Sequence, residues 1–588
     1  MDVFNSIYLE TIIIKFKALK KHTAVFGSLY NLKKLIGTMN NNVSRPDSDQ
    51  VVIGVDVGTG SARAGIFDMN GKMLASAKHD ITLYRDSANY RDSKNSANFV
   101  EQSSREIWDA VCYCVREAMS RSESTPQQVA GIGFDATCSL VVLGKDMEPI
   151  SVSLSEDPNR NIIVWMDHRA TAQAERINAL SHSVLNYVGG KISPEMETPK
   201  ILWLKENRRK TFDDTWQFFD LADFLTWKST GSLSRSTCTV TCKWTYLAHK
   251  KRWEADYFRQ IGLSELADEN FTRIGQSIVE PGTPCGQGLT EDAAQRMGLL
   301  AGTPVAAGMI DAHAGGIGTV GVNGDATRNM AYVFGTSSCT MTTTQEPIFI
   351  PGVWGPYFSA MIPGMWLNEG GQSAAGAAID QLLSLHPAAL EAKAMAKEKG
   401  ISLPIFLADM AMRKTQSASQ AVELAEGIHV VPEFLGNRAP FADPHARAVI
   451  AGLGMENSLN NLLSLYIAGV CGIGYGLRQI IEAQAKSGAI IENIVISGGA
   501  GQHPFVRQLL ADTCGVTVVA TQASEPVLLG SAILGSVAGG IFASVRQAMA
   551  HFSAIDRTYQ PNEIYRERHN IRFTSFQCLQ QCARELKG

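Results

Sequence analysis

The sequence predicts an α/β fold made of two related lobes. Short strand patterns alternate with long helical patterns along most of the chain, which is typical of α/β layers. Residues 56–61 and 335–338 each form a Gly/Thr/Ser loop directly after a strand pattern, so each half carries a similar unit. The 52 glycines among 588 residues exceed the usual ~7%. We expect the excess where strands meet loops or helices, because backbone approaches a ligand closely there.

Composition limits the class of protein. Hydrophobic residues are 45% and charged residues 19% of the chain, which excludes general disorder. The net charge of −4 gives no overall basic field, so nucleic-acid binding is not predicted. No run of 18 apolar residues occurs, so no membrane span or membrane partner is predicted. The 11 cysteines lack zinc-site spacing and are interpreted as reduced thiols of a cytoplasmic protein.

Residues 1–50 form a basic leader outside the predicted fold. They carry six lysines against few acids, and the first strand pattern begins only at Val51. We interpret the leader first as disordered sequence or as an over-extended start, with Met39 as the true start. A targeting segment ranks second, because the leader is poor in Arg and Ser.

Elements of the first half follow from local patterns. Strand patterns occupy residues 51–55, 64–67, 131–134, 140–143 and 162–165. Asn70-Gly71 predicts a hairpin turn, and the polar residues 84–98 predict an exposed loop. Ser103 followed by Glu106 forms a capping-box pattern, so a helix is expected to start there.

The second half repeats the alternation. Strand patterns occupy residues 330–334, 494–497 and 516–520. Long helical stretches are predicted over residues 373–399 and 460–487. Residues 385–425, rich in Ala, Lys and Met, predict a helical insertion or cap rather than core.

The first Gly/Thr/Ser loop indicates phosphate binding. Backbone N–H groups of a glycine turn form an anion nest, and Thr59 and Ser61 add hydroxyl donors. Asp56 at the strand end suits a hydrated Mg²⁺ that bridges phosphates. A plain hairpin turn would also explain the segment, but the second loop, 335–337, favours phosphate binding. A third glycine loop, 498–501, is expected to contact another part of the same nucleotide.

Several single residues are candidates for chemistry. Asp311 follows an apolar stretch and is interpreted as a general base, with a helix N-cap as the alternative. His313 is interpreted as local packing. Lys200, on an apolar helical face, either extends to the surface or points at a polar substrate. Glu369 lies between a strand and a helix pattern, with room for ligand contact, and Trp165 borders polar residues at another strand end.

Beyond these residues, the chain resembles the FGGY carbohydrate kinases of the sugar-kinase/actin-like ATPase superfamily over nearly all of residues 51–545. Asp56-x-Gly-Thr-x-Ser resembles the first phosphate motif of that family, Gly335-Thr-Ser the second and Gly498-Gly499 the adenosine motif. The family's C-terminal signature loop is similar to residues 436–447. The segments most similar to the D-ribulokinase branch are residues 133–139, 165–169, 335–339 and 351–357. One departure is His503, where the adenosine motif usually has Asn.

The resemblance implies an α/β fold with two actin-like (ribonuclease H-like) lobes, whose mixed sheets are flanked by helices, and a cleft between the lobes. After the leader, it implies an N-terminal lobe at 51–318, a C-terminal lobe at 319–545 and a C-terminal helical tail at 546–588.

The resemblance also implies site residues. Asp311 is the implied catalytic base, and Asp56 is the implied acid on the Mg²⁺ side. The implied sugar-binding residues are Thr137, Trp165, Lys200, Asp311 and Glu369. The implied nucleotide-binding residues are Gly58, Thr59, Ser61, Gly335, Thr336, Ser337, Gly376, Gly498 and Gly499.

The implied reaction is phosphorylation of D-ribulose by ATP with Mg²⁺, giving D-ribulose 5-phosphate. D-xylulose, L-ribulose and ribitol are alternative substrates with the same chemistry. An actin-like ATPase acting as a nucleotide switch, which needs no sugar pocket, is an alternative of another class, and an inactive sugar-binding regulator is a third. Relatives of this kind are often dimers, so a homodimer is a candidate assembly.

Overall fold

The apolar run that begins at Val51 forms the central strand of the first sheet in a computed structural model of the chain. The structure describes residues 49–85, 99–425 and 427–586. All seven residues of this strand are buried, as expected for a strand covered on both faces. The predicted leader, 1–50, and the loop predicted at 84–98 lie almost wholly outside the described residues.

The first half of the described chain alternates strands with helices. Its strands are β1 (Val51–Val57), β2 (Ser61–Asp68), β3 (Met73–Asp80), β4 (Tyr84–Arg85), β5 (Val100–Gln102), β6 (Val129–Ala136), β7 (Leu140–Gly144), β8 (Ile162–Ile163), β9 (Thr215–Asp220), β10 (Arg235–Ser236), β11 (Ile278–Val279) and β12 (Met309–Ile310). Its helices are α1 (Ser104–Ser122), α2 (Thr171–Ala179), α3 (Glu197–Asn207), α4 (Arg209–Asp214), α5 (Leu221–Thr230), α6 (Thr237–Lys243), α7 (Ala255–Gln260), α8 (Ser264–Asp268), α9 (Glu291–Met297) and α10 (Asp311–Ile317). The predicted strands are confirmed, except that β8 is shorter than the pattern at 162–165. The chain turns there, because Asp167 N donates to Val164 O (2.9 Å).

The second half has the same character. Its strands are β13 (Asn329–Phe334), β14 (Ser338–Thr344), β15 (Trp354–Phe358), β16 (Trp366–Gln372), β17 (His429–Val431), β18 (Val449–Ala451), β19 (Asn493–Ser497), β20 (Thr517–Thr521) and β21 (Ile555–Tyr559). Its helices are α11 (Gly376–Ser384), α12 (Ala389–Glu398), α13 (Leu403–Lys414), α14 (Leu459–Lys486), α15 (Pro504–Cys514), α16 (Pro526–Ala538), α17 (Val545–Phe552) and α18 (Arg566–Glu585). The strand predictions hold to within one residue, and α14 confirms the helix predicted at 460–487.

The two halves contain sheets of the same topology. In the described residues, the first sheet has the order β12-β6-β1-β2-β3, and the second contains β20-β19-β13-β14-β16, extended by β15 and β21 at its edges. In both, the central strand pairs antiparallel with the next strand along the chain and parallel with a later one. Both sheets are therefore mixed. The prediction of two related, actin-like lobes is confirmed by this repeated order.

A third sheet extends the first lobe. Its order is β4-β5-β8-β7-β9, and each of these neighbouring strands pairs antiparallel in the described residues. The predicted capping box at α1 forms only in part: Ser103 Oγ accepts from Glu106 N (3.3 Å), but the Glu106 carboxylate accepts from Thr82 N (2.8 Å) instead of returning to Ser103.

Some of the excess glycine lies inside strands rather than at their ends, which differs from the expectation. A Cβ at Gly54 would lie 2.0 Å from Leu528 O, and one at Gly133 would lie 2.1 Å from Ser531 O. Only glycine lets α16 pack this closely onto β1 and β6. A helix from late in the chain thus covers the sheet of the first lobe, directly beneath the strand ends that carry the candidate site.

The helical stretch predicted at 373–399 forms two helices rather than one. It is divided into α11 and α12, because Pro387 has no N–H to continue a helix. The cap predicted at 385–425 is helical, but apolar residues such as Ala392, Phe406 and Leu407 are buried in the core of the second lobe. Its residues therefore belong to the core as well as to the surface.

The segment 546–588 is not wholly helical. Between α17 and α18, β21 pairs antiparallel with β20 and becomes an edge strand of the second sheet. α18 then buries Phe573 and Phe576 against that lobe.

Two expectations from composition can be compared with the structure. In the described part of the chain, no helix is both long and apolar enough to cross a membrane. All 11 cysteines lie in that part and are free thiols.

Candidate active site

The first Gly/Thr/Ser loop is the tight turn between β1 and β2. Gly58 N donates to Ser61 O (3.0 Å), and the side chain of Gln102 donates to the carbonyl oxygen of Thr59 (2.8 Å). The loop is therefore held from the neighbouring sheet as well as by its own strands.

The second loop occupies the equivalent turn between β13 and β14. Gly335 N donates to Ser337 O (3.0 Å), and the amides of Ala375 and Ala377 donate to Thr336 O (2.9 and 3.1 Å). These contacts tie the loop to the start of α11. A helix N-terminus and a glycine turn together present N–H groups of the kind that bind phosphate.

Gly376 and Gly498 form a cradle beside the second loop. A Cβ at Gly376 would lie 2.7 Å from Gly335 O, and one at Gly498 would lie 2.5 Å from Phe334 O. Gly498 also has a φ of 91°, which other residues rarely adopt. The second loop, the start of α11 and the 498–501 loop are therefore in mutual contact.

A cavity of about 460 Å³ opens next to this cradle. Its lining includes Gly376, Gly499, Phe334, Tyr466 and His503. A volume of this order and a largely apolar wall are typical of a small-molecule site. The cavity is adjacent to the second loop, as a nucleoside joined to its phosphates requires.

Three aspartates lie at the carboxyl ends of neighbouring parallel strands. Asp56 of β1 is in register with Asp135 of β6, and Ile310 of β12 is in register with Ala136, so Asp311 follows at the same edge. Burial raises the pKa of Asp311 to about 6, and repulsion from Asp56 is the second cause of this rise. The same two causes raise the pKa of Asp135 well above its usual value. The edge therefore concentrates negative charge that a cation would relieve.

The residues at this edge fit a divalent cation shared with a phosphate ligand. Asp56 pairs with Arg63, while Asp135 Oδ1 is buried and faces no hydrogen-bond donor among the described residues. No group of three or more His, Cys, Asp or Glu side chains in the described ranges is arranged to hold a metal alone. Mg²⁺ usually keeps several waters and takes one or two carboxylates plus phosphate oxygens, which agrees with this arrangement.

A chain of hydrogen bonds links two predicted sugar contacts to the first loop. Thr137 Oγ1 lies 3.1 Å from Ser139 Oγ, which accepts from Trp165 N (3.1 Å). The indole Nε1 of Trp165 donates to Thr59 Oγ1 (3.0 Å). Thr137, Trp165 and Thr59 are thus brought together, although they come from three different strand ends.

Glu369 of β16 reaches toward the helix that begins with Asp311. His313 Nε2 lies 3.2 Å from Glu369 Oε2. Burial alone would raise the pKa of Glu369, but the cations Lys243 and His313 lower it to about 2. His313, which the sequence suggested was local packing, therefore bridges α10 of the first lobe and the second sheet.

Lys243 is a residue that sequence reasoning missed. It is buried at the end of α6 and lowers the pKa of both Glu369 and Asp311. Burial would lower its own pKa, but nearby Cys138, Glu369 and Tyr357 raise it well above its usual value. The available signal was that Lys243 is the lone charged residue in residues 236–249.

Lys200, predicted as a sugar contact, has a different environment. It is fully buried rather than extended to the surface, and its ion-pair partner is Glu197 of the same helix (3.7 Å). Burial raises the pKa of Glu197 to about 7, and Lys200 opposes that rise. No described contact joins Lys200 to Asp311 or Glu369, so its role stays a prediction.

His503 takes over a capping role at the nucleoside-side cavity. Its Nδ1 accepts from Phe505 N (3.1 Å), which caps the start of α15. Nε2 therefore carries the proton and donates to Asp409 Oδ1 (3.2 Å). An asparagine side chain can cap a helix in the same way. This explains how the departure from the family pattern is tolerated.

We expect His503→Asn to preserve this helix start and His503→Ala to damage it. The alanine variant loses the cap and should lower the free energy of unfolding by about 1 kcal/mol. Urea denaturation followed by fluorescence measures both variants. Equal losses in the two variants would contradict the capping role.

Comparisons with known proteins show the family to which the chain belongs. Residues 51–318 match the N-terminal domain model of the FGGY family of carbohydrate kinases, and residues 330–539 match its C-terminal domain model. The chain is 43% identical over 534 residues to an FGGY carbohydrate kinase domain-containing protein of Homo sapiens, covering 89% of this chain and 94% of that protein. It is 39% identical over 528 residues to a D-ribulokinase of Saccharomyces cerevisiae, covering 84% and 73%.

Solved structures have the same fold at low sequence identity. A ligand-bound xylulose kinase from Lactobacillus acidophilus matches with a TM-score of 0.73 at 19% identity, covering 91% of this chain and 98% of that one. A Plasmodium falciparum glycerol kinase with ADP matches with a TM-score of 0.71 at 16% identity, covering 90% and 97%.

Proposed function

Because the chain belongs to the FGGY family of carbohydrate kinases, we propose that it transfers the terminal phosphoryl group of ATP to the terminal hydroxyl of D-ribulose, giving D-ribulose 5-phosphate. The identity with the yeast D-ribulokinase supports this sugar. The observation that carries the proposal is the position of Asp311, which lies at the same sheet edge as Asp56 and in the same helix as His313, which bridges to Glu369.

Asp311 is the proposed catalytic base. A primary alcohol is a poor nucleophile, so a carboxylate that accepts its proton as the O–P bond forms assists the transfer. A pKa of about 6 leaves Asp311 ionised at neutral pH but basic enough to accept a proton. The alternative role for Asp311, a helix N-cap, is not supported. Asp311 is itself the first residue of the helix, and its side chain accepts from the adjacent Ala312 N (2.7 Å).

Lys243 and Glu369 are proposed to orient the sugar hydroxyls. Together they offer an ammonium donor and a carboxylate acceptor, both buried. Buried polar groups that lose their partners are costly, so such groups discriminate strongly between sugars that differ by one hydroxyl. Thr137 and Trp165 complete the proposed pocket from the first lobe.

The two Gly/Thr/Ser loops and the start of α11 are proposed to bind the phosphates of ATP, and the cavity beside Gly499 its nucleoside. Asp56, with Asp135 next to it, is proposed to hold Mg²⁺ through water or directly. Bound Mg²⁺ would neutralise charge on the phosphate oxygens. The backbone N–H groups of the loops then align the terminal phosphate with the sugar hydroxyl, and alignment supplies much of the rate.

Trp165→Phe should raise the KM for ATP about three- to tenfold and change the KM for D-ribulose less. The variant keeps an aromatic wall but loses the Nε1–H bond to Thr59, and such a bond is worth about 0.5–1.5 kcal/mol. Steady-state kinetics with ATP and with D-ribulose as the varied substrate measure the two KM values. Trp216→Phe is the matched control, because Trp216 packs against Phe219 and Trp227 instead. A larger rise for the sugar than for ATP would contradict the link to the loop.

ADP release with Mg-ATP over a panel of ketopentoses and pentitols tests the proposed function. We expect D-ribulose to give the highest kcat/KM, with product phosphorylated on the terminal oxygen. If D-xylulose, L-ribulose or ribitol is preferred, the sugar is reassigned and the chemistry stands. If no sugar exceeds the ATPase background, the kinase proposal fails and a nucleotide switch becomes the better explanation.

A further inference from the structure

A buried thiol contacts the histidine that bridges the two lobes. Cys238 Sγ lies 3.1 Å from His313 Nδ1, and it also accepts from Ile310 N (3.4 Å). Both Cys238 and His313 are 0% exposed. The thiol therefore contacts the segment that leads directly into Asp311.

The helix that carries Cys238 is held firmly at its start. Asp223 accepts from Ser236 N (2.8 Å) and from Thr239 Oγ1 (2.6 Å). Ser236 Oγ in turn accepts from Cys238 N (3.2 Å). These contacts give Cys238 a defined position next to the imidazole.

The contacts determine where the imidazole carries a proton. If Cys238 is a thiol, its S–H donates to Nδ1, and the neutral ring is protonated at Nε2. If Cys238 is a thiolate, both ring nitrogens are protonated. In either arrangement the Nε2–H of His313 points at Glu369 Oε2, 3.2 Å away.

The surrounding charges favour the ionic arrangement. Burial would raise the pKa of Cys238, but Cys242 and His313 lower it. Burial would lower the pKa of His313, but Cys238 and Glu369 raise it. Against the effect of burial, Lys243 and His313 lower the pKa of Glu369 to about 2, so its carboxylate accepts from His313 under both arrangements.

We propose that Cys238 is a positioning residue of the sugar site: it holds the His313 ring so that Nε2–H engages one oxygen of Glu369 and leaves the other for the substrate. Within the part of the chain that the structure describes, the second oxygen, Oε1, has only the weak donor Cys339 Sγ, at 3.7 Å. This inference rests on the proposed function, because it assigns Glu369 to the sugar. The contact between His313 and Glu369 also connects α10 directly to the second sheet.

Kinetics of Cys238→Ala, Cys238→Ser and a matched control test the proposal. Without the thiol the ring is free to rotate or change tautomer, so we expect the alanine variant to raise the KM for D-ribulose about tenfold while the KM for ATP stays within about twofold. Serine, which can also donate to and accept from Nδ1, should recover at least half of the loss on a logarithmic scale. Cys471→Ala is the control, because Cys471 is equally buried but lies in α14. Equal changes in both KM values, or none, would overturn the proposal.

A second measurement needs neither turnover nor a correct sugar. In protein labelled with ¹⁵N-histidine, the ring N–H of His313 should be visible at Nε2 and should shift in Glu369→Gln. If Cys238→Ala does not fold, the spectra of the wild type and of Glu369→Gln decide the proposal without the kinetics. A His313 ring without a proton on Nε2, or one unaffected by Glu369→Gln, would overturn the positioning role. If the wild type phosphorylates no pentulose but its spectra behave as expected, the proposed function fails while the Cys238–His313–Glu369 connection stands.

Discussion

Replacing Asp311 by asparagine should lower kcat by at least about 10²-fold while ATP still binds. Asparagine has nearly the same shape but cannot accept a proton, and general base assistance is typically worth about 10²–10⁴ in rate. Turnover is measured by coupled ADP release, and ATP binding by calorimetry. Asp325→Asn is the matched control, because Asp325 is an exposed helix cap whose contact with Thr327 N asparagine can also make.

The same residue predicts an acid limit to activity. Burial and Asp56 raise the pKa of Asp311 to about 6, so the fraction that can accept a proton falls below that pH. We expect log kcat/KM of the wild type to decline with unit slope below pH 6, since this parameter reports groups of the free enzyme. This decline below pH 6, the acid limb of the profile, should be missing from the residual activity of Asp311→Asn. Near-normal turnover of that variant, or an unchanged acid limb, would remove Asp311 from its proposed role.

Replacing Lys243 by methionine should raise the KM for D-ribulose by about 10- to 100-fold, with a much smaller change in the KM for ATP. Hydrogen bonds to charged groups are worth about 1.5–3 kcal/mol, and the variant also leaves Glu369 with one fewer cation. We expect this result if Lys243 provides the cationic contact to the sugar, as proposed.

Lys200→Met provides the discriminating comparison. Lys200 pairs with Glu197 inside α3, so its loss should lower stability more than sugar affinity. Steady-state kinetics and thermal unfolding of both variants separate the two effects. Lys228→Met, next to Trp227, controls for loss of a lysine elsewhere in the first lobe. If Lys200→Met gives the larger rise in sugar KM, the sugar contact is Lys200, as the resemblance implies, and the proposal for Lys243 fails.

Local patterns predicted most of the framework. The strand runs at 51–55 and 330–334, each followed by a Gly/Thr/Ser loop, correspond to β1 and β13, and the repeated sheet order follows from them. The predictions differ from the structure where one local sequence signal competes with another. The helical stretch predicted at 373–399 has periodic apolar residues, but Pro387 separates it into α11 and α12. Glycines in β1 and β6 were attributed to loops, whereas they make room for α16.

The site residues also divide into those that local sequence patterns predicted and those that depend on tertiary packing. Asp56, Thr59 and Asp311 directly follow or end strands, and that is where the sequence suggested chemistry. Cys238 and Lys243 lie in a short helix with no ligand motif, so the sequence provided little reason to connect them with Glu369. Their relation depends on how α6, α10 and β16 meet.

By itself, the sequence determined the α/β class, the duplicated strand–loop unit and the acid at position 311, because each depends on residues that adjoin one another in the chain. Only the tertiary structure decided which buried cation, histidine and thiol surround Glu369. Cys238 and His313 are separated by 75 residues, and His313 and Glu369 by 56. Their contacts exist because α6 and α10 of the first lobe pack against β16 of the second sheet, and no short-range pattern encodes that packing.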